Sequence, residues 1–209
     1  MKAGAASMIA GPLAYPASAE DRALFRHGPL ARNPIARSFV RMPDAARLPS
    51  SLLLSPDGPH RMKELTGKVR IVSLWAEWCV PCLVEAKDLS RLRSQFGGPS
   101  FDILAILTAG RAALAPAQAR DRLIRSGAPD LPTWVEPDGG RSIGQALAVE
   151  VPPHVSLPCN LLIDRAGRVR ARSVGIGNDL PQRVGRSHWA TPEAVAFVSA
   201  LRDGALDRA

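Results

Sequence analysis

The segment Val69-Arg70-Ile71-Val72-Ser73-Leu74-Trp75-Ala76-Glu77-Trp78-Cys79-Val80-Pro81-Cys82 runs from an apolar stretch of strand length straight into two cysteines separated by two residues. Downstream, Cys82, Ala86, Leu89, Leu92 and Phe96 recur at steps of three and four, while Glu85, Lys87, Asp88, Arg91 and Arg93 mark other faces. That pattern predicts a buried strand, a tight turn and an amphipathic helix stopped by Gly97-Gly98-Pro99. The cysteine pair therefore falls at a strand-to-helix turn. The positive end of the helix dipole there favours thiolate over thiol at Cys79. Cys82, one turn on, is spaced to attack a mixed disulfide formed by Cys79. Cys79 is expected to be the exposed nucleophile and Cys82 the shielded resolving thiol.

The rest of the chain alternates in the same manner. Strands are expected at Ser51–Leu54, Phe101–Leu107, Thr133–Val135, Asn160–Asp164 and Arg168–Val174, the last two forming an antiparallel hairpin about Arg165-Ala166-Gly167. Turns are expected at Pro56-Asp57-Gly58-Pro59 and Thr66-Gly67-Lys68. Helices are expected over Pro116–Arg125, over Arg141–Val149 and, behind the Thr191-Pro192 cap, to Arg202. This order belongs to the α/β class, a central mixed β-sheet flanked by helices on both faces.

The whole chain has 209 residues, room for one domain and some extension. Its net charge of +8 comes from 23 arginines against 4 lysines, scattered without a basic block or interleaved aromatics, which argues against a nucleic-acid partner. Met1-Lys2, the small and apolar residues to Ala14 and Ala17-Ser18-Ala19 have the parts of a secretory signal over residues 1–19. Nothing approaches the roughly 18 consecutive apolar residues of a membrane span. The expectation is a soluble, exported, periplasmic protein, in an oxidising compartment that permits disulfides. Residues 20–48, proline-rich and aperiodic, read as an extension that wraps or trails from a domain at 49–209.

With these residues in view, the chain resembles the exported TlpA-like and ResA-like thiol-disulfide oxidoreductases of the thioredoxin superfamily. The likeness rests on Asp57-Gly58, Glu64-Leu65-Thr66-Gly67-Lys68, Leu74-Trp75-Ala76-Glu77-Trp78-Cys79-Val80-Pro81-Cys82, Glu85, Leu131-Pro132, Leu157-Pro158 before Leu161-Leu162-Ile163-Asp164, and Gly167. It covers about residues 50–202 and implies a thioredoxin-like fold. It also implies a cis-proline at Pro158, presenting the Leu157 backbone to a client chain, and a proton-handling role for Glu85. The reading that treats Glu85 as a surface residue favoured by the helix dipole stays open at this stage. Thioredoxin itself has a buried aspartate where this chain has Ser73, so any proton relay must differ. Trp78, with Val80 and Pro81, is expected to cover the dithiol and meet clients, and Trp75 to pack in the core.

The resulting expectation is reduction of client-protein disulfides through Cys79–Cys82, with no cofactor beyond that redox-active disulfide. The resemblance implies re-reduction by a membrane thiol carrier of the CcdA or DsbD type, and clients in cytochrome c or copper-centre maturation. A disulfide oxidase or isomerase is the alternative with the same chemistry. Cys159, next to Pro158, is expected near the dithiol. It is read as core packing, as a third redox thiol, or as a third soft ligand with Cys79 and Cys82 in a copper(I) metallochaperone. Half of a zinc site is disfavoured, because no second CxxC or paired histidines accompany the first. His154 reads as a solvated loop residue, and Trp134, Trp189 and the Gly175/Gly177 loop as packing and turns.

Overall fold

The computed structural model describes residues 23–47, 52–61, 64–108, 114–137, 143, 157–174 and 187–209. Eight strands form one mixed sheet: β1 Val40–Arg47, β2 Leu52–Ser55, β3 Gly58–Arg61, β4 Val69–Trp75, β5 Phe101–Leu107, β6 Thr133–Val135, β7 Cys159–Ile163 and β8 Arg168–Val174. Their spatial order is β1-β8-β7-β4-β5-β6-β2-β3. β4, β5 and β6 are parallel, and the remaining pairings are antiparallel. The α-helices are α1 Pro34–Arg37, α2 Val80–Phe96, α3 Pro116–Arg125 and α4 Pro192–Arg202. None of the described helices is long and apolar enough to cross a membrane.

β4 is central, hydrogen-bonded to β5 along one edge and β7 along the other, and the core layers cover both faces of its apolar run. Alternation along β4 sorts the core into two layers. Val69, Ile71 and Trp75 pack with Leu83, Ala86 and Leu89 of α2, Ala119 and Leu123 of α3, and Phe197, Val198 and Leu201 of α4. Val72 and Leu74 pack on the other face with Leu104, Ile106, Cys159, Leu161 and Ile163. Ile143, the one described residue of the helix expected over 141–149, belongs to this second layer. The fold is the expected mixed sheet flanked by helices.

Two edges of the sheet hold strands outside the expected set. Of the extension expected at 20–48 to wrap or trail from the domain, residues 23–47 are woven into the sheet and core. β1 pairs with β8, and Leu24, Phe25, Leu30, Ile35 and Phe39 join the first core layer. Phe39 stacks on Phe197 at 5.5 Å and meets Trp189 edge-on at 6.4 Å. This strand follows Pro34 closely and contains Pro43, so its sequence shows no alternation to read. At the opposite edge, the turn expected at Pro56–Pro59 narrows to a hairpin in which Gly58 and Pro59 already belong to β3. Proline is tolerated there because β3 is the outermost of the described strands, with no described strand on its far side.

The β7–β8 hairpin turns where expected. Asp164 Oδ1 accepts hydrogen bonds from the backbone N–H groups of Ala166 and Arg168, and Gly167 supplies the required positive φ. Residues 1–19, 151–156 with His154, and the Gly175/Gly177 loop lie outside the described residues.

Candidate active site

The turn from β4 into α2 delivers the two cysteines. Cys79 is the N-cap of α2, and its sulfur accepts a hydrogen bond from the Cys82 backbone N–H at 3.3 Å. Pro81 stands in the first turn, where its missing N–H costs nothing. Cys79 and Cys82 are joined as a disulfide with Cα atoms 5.3 Å apart. The expected contrast between an exposed Cys79 and a shielded Cys82 is absent in this oxidised form, where they are 4% and 2% exposed. Each sulfur covers the other, and that of Cys79 is turned toward the helix end. What stands open around them is apolar: Trp78 is 49% and Val80 67% exposed, Pro81 is exposed, and Leu157 is half-buried. Trp75 is in the core, its indole N–H donating to Thr133 Oγ1.

The antiparallel register pairs Leu74 with Cys159, which sets Pro158 beside the end of β4 from which the cysteine turn departs. The Leu157–Pro158 peptide is cis, as the resemblance implies. Cys159 turns to the other side of the sheet from the dithiol. Its side chain lies in the second core layer with Leu74 and Leu161, whereas Cys79 and Cys82 lie in the first. Strand alternation is the reason: if Asn160 faces α2, Cys159 must face away. Burial pushes the Cys159 thiol up to about 12. Its full burial agrees with the packing reading, and with Cys79 and Cys82 joined as a disulfide it does not group with them. Among the described residues no group of three His, Cys, Asp or Glu side chains is placed to hold a metal ion.

One helical turn after Cys82 begins a polar cluster that the helical pattern of α2 had placed on outer faces. Glu85 is fully buried and Asp88 nearly so. Glu85 Oε2 accepts from the Asn160 amide at 3.1 Å, and Glu85 Oε1 faces His188 Nδ1 at 3.7 Å. Burial pushes the Glu85 carboxyl up to about 8; the Asn160 amide and Trp189 indole pull against it, and Asp88 adds to the rise. Burial pulls His188 down to about 4, partly offset by Asp88. Asp88 Oδ2 accepts from the Ser187 hydroxyl at 2.8 Å, and Ser187 Oγ in turn caps the Trp189 N–H. The segment before α4 is thereby pinned to α2, with His188 and Trp189 inside. Tertiary burial overrides the surface reading of Glu85, because α4 and its approach close over that side of α2.

Sequence reasoning passed over Asn160, His188, Asp88 and Ser187 as site residues. Asn160 had a usable signal: it is a lone amide in an apolar strand, and such a group needs a buried partner. His188 and Ser187 had none, since they lie a hundred residues from Glu85 in a segment without periodicity.

A disulfide at a helix N-terminus, level with the start of an antiparallel neighbour strand, is the arrangement that thioredoxin-like proteins use for exchange with other thiols. Fold and site together define a thioredoxin-like protein with a dithiol–disulfide pair at a helix N-terminus. The chain belongs to the AhpC/TSA family, which matches residues 45–172. It is similar to the thiol:disulfide interchange protein HelX of Rhodobacter capsulatus, 29% identical over 109 residues, which are 52% of this chain and 53% of HelX. The chain thus matches about half the length of that relative. Among solved structures it resembles a thiol:disulfide interchange protein DsbE from Chlorobium tepidum, with a TM-score of 0.55 at 20% identity over 79% of this chain and 99% of that one. A secreted thiol-disulfide isomerase from Corynebacterium glutamicum gives 0.53 at 19% identity over 85% and 96%. At such identities the likeness of structures speaks for the fold alone.

Proposed function

We propose that this protein is an exported reductant of client-protein disulfides. Reduced Cys79 attacks a client disulfide, a mixed disulfide forms and one client thiolate leaves. Cys82 then attacks Cys79, closing the Cys79–Cys82 bond and releasing the second client thiol. Trp78, Val80, Pro81 and Leu157 form the apolar contact for the client, with the Leu157 backbone pairing to an extended segment. The observation that carries the reductive direction is Glu85. An acid buried on the Cys82 side of α2, with a carboxyl pushed up to about 8, marks surroundings that resist added negative charge. Such surroundings disfavour a stable thiolate and so favour the disulfide form, which makes the dithiol a donor of electrons.

The resemblance and the HelX likeness support a place in cytochrome c or copper-centre maturation, the clients being proteins whose paired cysteines must be reduced before a haem or copper is attached. A membrane carrier of the CcdA or DsbD type would return Cys79–Cys82 to the dithiol. Export rests on residues 1–19 and is tested by fractionating cells that express the tagged protein. The direction is tested by equilibrating Cys79–Cys82 with glutathione. A potential near or below about −250 mV supports the reductase, whereas one above about −200 mV reassigns the protein as an oxidase or isomerase.

A further inference from the structure

Glu85 makes one full hydrogen bond, through Oε2, while the Trp189 indole N–H lies near the carboxyl without completing a second. Oε2 receives the Asn160 amide hydrogen, so in the neutral carboxyl Oε2 acts as the acceptor and the acid proton belongs on Oε1. Oε1 has no hydrogen-bond partner, and both ring nitrogens of His188 also lack one. Oε1 and His188 Nδ1 face each other across 3.7 Å in a site where the His188 side chain is 4% exposed and that of Glu85 is fully enclosed. A donor and an acceptor buried without partners are costly singly and complementary together. His188 is not there by accident of packing. The Ser187 hydroxyl bond to Asp88, one turn along α2 from Glu85, sets the turn that carries it.

From this geometry we infer that His188 is the positioning residue through which Glu85 exchanges its proton, so that the two form a relay serving the Cys82 thiol. This deepens the proposed role of Glu85 and rests on it. In the resolving step, the Cys82 S–H proton passes to the carboxyl as the Oε1 proton passes to His188 Nδ1. Glu85 is neutral before and after, Cys82 becomes thiolate and His188 becomes imidazolium. The thiolate then attacks the Cys79 sulfur, the departing thiolate leaves, and the imidazolium returns its proton to solvent. Among the described residues the other groups facing the pair are Asp88 with its partner Arg91 on α2, Asn160 and the Cys159 thiol on β7, and Ser187 and Trp189 beside the ring. Asp88 supplies the negative charge that steadies the imidazolium.

The experiment follows the reaction of reduced protein with 5,5′-dithiobis(2-nitrobenzoate). Cys79 releases one thionitrobenzoate in forming a mixed disulfide, and Cys82 releases the second on closing the protein disulfide. The pH profile of the second release is compared for wild type, Glu85→Gln, His188→Gln and the double variant. The relay requires His188→Gln to move the midpoint upward by about one pH unit, the scale of a nearby charge effect. It also requires Glu85→Gln to do at least as much, and the double variant to add nothing to Glu85→Gln. A His188→Gln profile on top of wild type, with Glu85→Gln shifted, overturns the relay and leaves Glu85's role standing. An unmoved Glu85→Gln profile overturns both. In the wild type, imidazole 15N shifts of His188 must also respond to the titration of Glu85. Independent behaviour there overturns the relay even if a variant fails to fold.

Discussion

Replacing Glu85 by glutamine isolates a fully buried carboxyl whose proton affinity is strongly raised. Burial raises the carboxyl from 4.5 to about 8, so between those values the folded chain keeps a proton that the unfolded chain has released. Stability contributed by this group is present in full below the unfolded value, falls as pH rises through the window, and is flat above about 8. The slope is about 1.4 kcal/mol per pH unit, and the whole window is worth on the order of 4–5 kcal/mol. His188 works in the opposite sense. It stays neutral in the folded chain down to about 4, whereas the unfolded ring takes a proton near 6.5, so its contribution is gained as pH rises from 4 to 6.5. The two slopes offset one another up to pH 6.5, and above it Glu85 acts alone.

Glutamine keeps an oxygen for the Asn160 amide and has no proton to lose. Urea unfolding of oxidised wild type and Glu85→Gln at pH 5, 6.5 and 8 should therefore show the wild type losing about 2 kcal/mol relative to the variant between the last two values. Titrating groups that do not sense Glu85 cancel in that difference, and His188, at about 4, is neutral across it. Parallel profiles would mean that Glu85 is an ordinary carboxylate reached by water, and the account of the buried cluster would fall.

Asn160→Ala leaves Glu85 Oε2 without its donor, and a loss of about 1–3 kcal/mol in the same urea assay is expected, with the carboxyl midpoint moving further up by 13C NMR. Cys159 should resist iodoacetamide in the folded protein and react once it is unfolded, as mass spectrometry of the labelled chain will show. Cys159→Ala should leave the Cys79–Cys82 potential unchanged; a shift would favour the third-thiol reading. Phe39→Ala empties a fully enclosed position against Trp189 and Phe197 and should cost about 3–5 kcal/mol. A chain beginning at residue 49 should melt without a cooperative transition, and normal melting of either would show residues 23–47 to be dispensable.

Much of the architecture was legible because it is local. The run from Val69 to Trp75, the step-three-and-four pattern after Cys82, the Gly97 stop and the Thr191-Pro192 cap each carry their signal within a dozen residues. Backbone hydrogen bonding and apolar periodicity act over that range. The dithiol was legible for the same reason, since two cysteines one turn apart at a strand-to-helix junction are a local chemical fact. β1 and β3 were not, because an edge strand with proline in it is specified by its partner rather than by its own alternation.

The cluster one turn past the disulfide lies further from what any local pattern can show. Glu85 and Asp88 sit at positions where a helix alone would leave them wet. Only the closure of α4 and the His188 turn over α2 buries them, and only the parity of β7 decides that Asn160 meets Glu85 while Cys159 turns away. The sequence by itself determined the dithiol, the order of the elements and the class of chemistry. Tertiary structure decided which neighbours share the low-dielectric space around Glu85, because desolvation depends on what arrives from a hundred residues away.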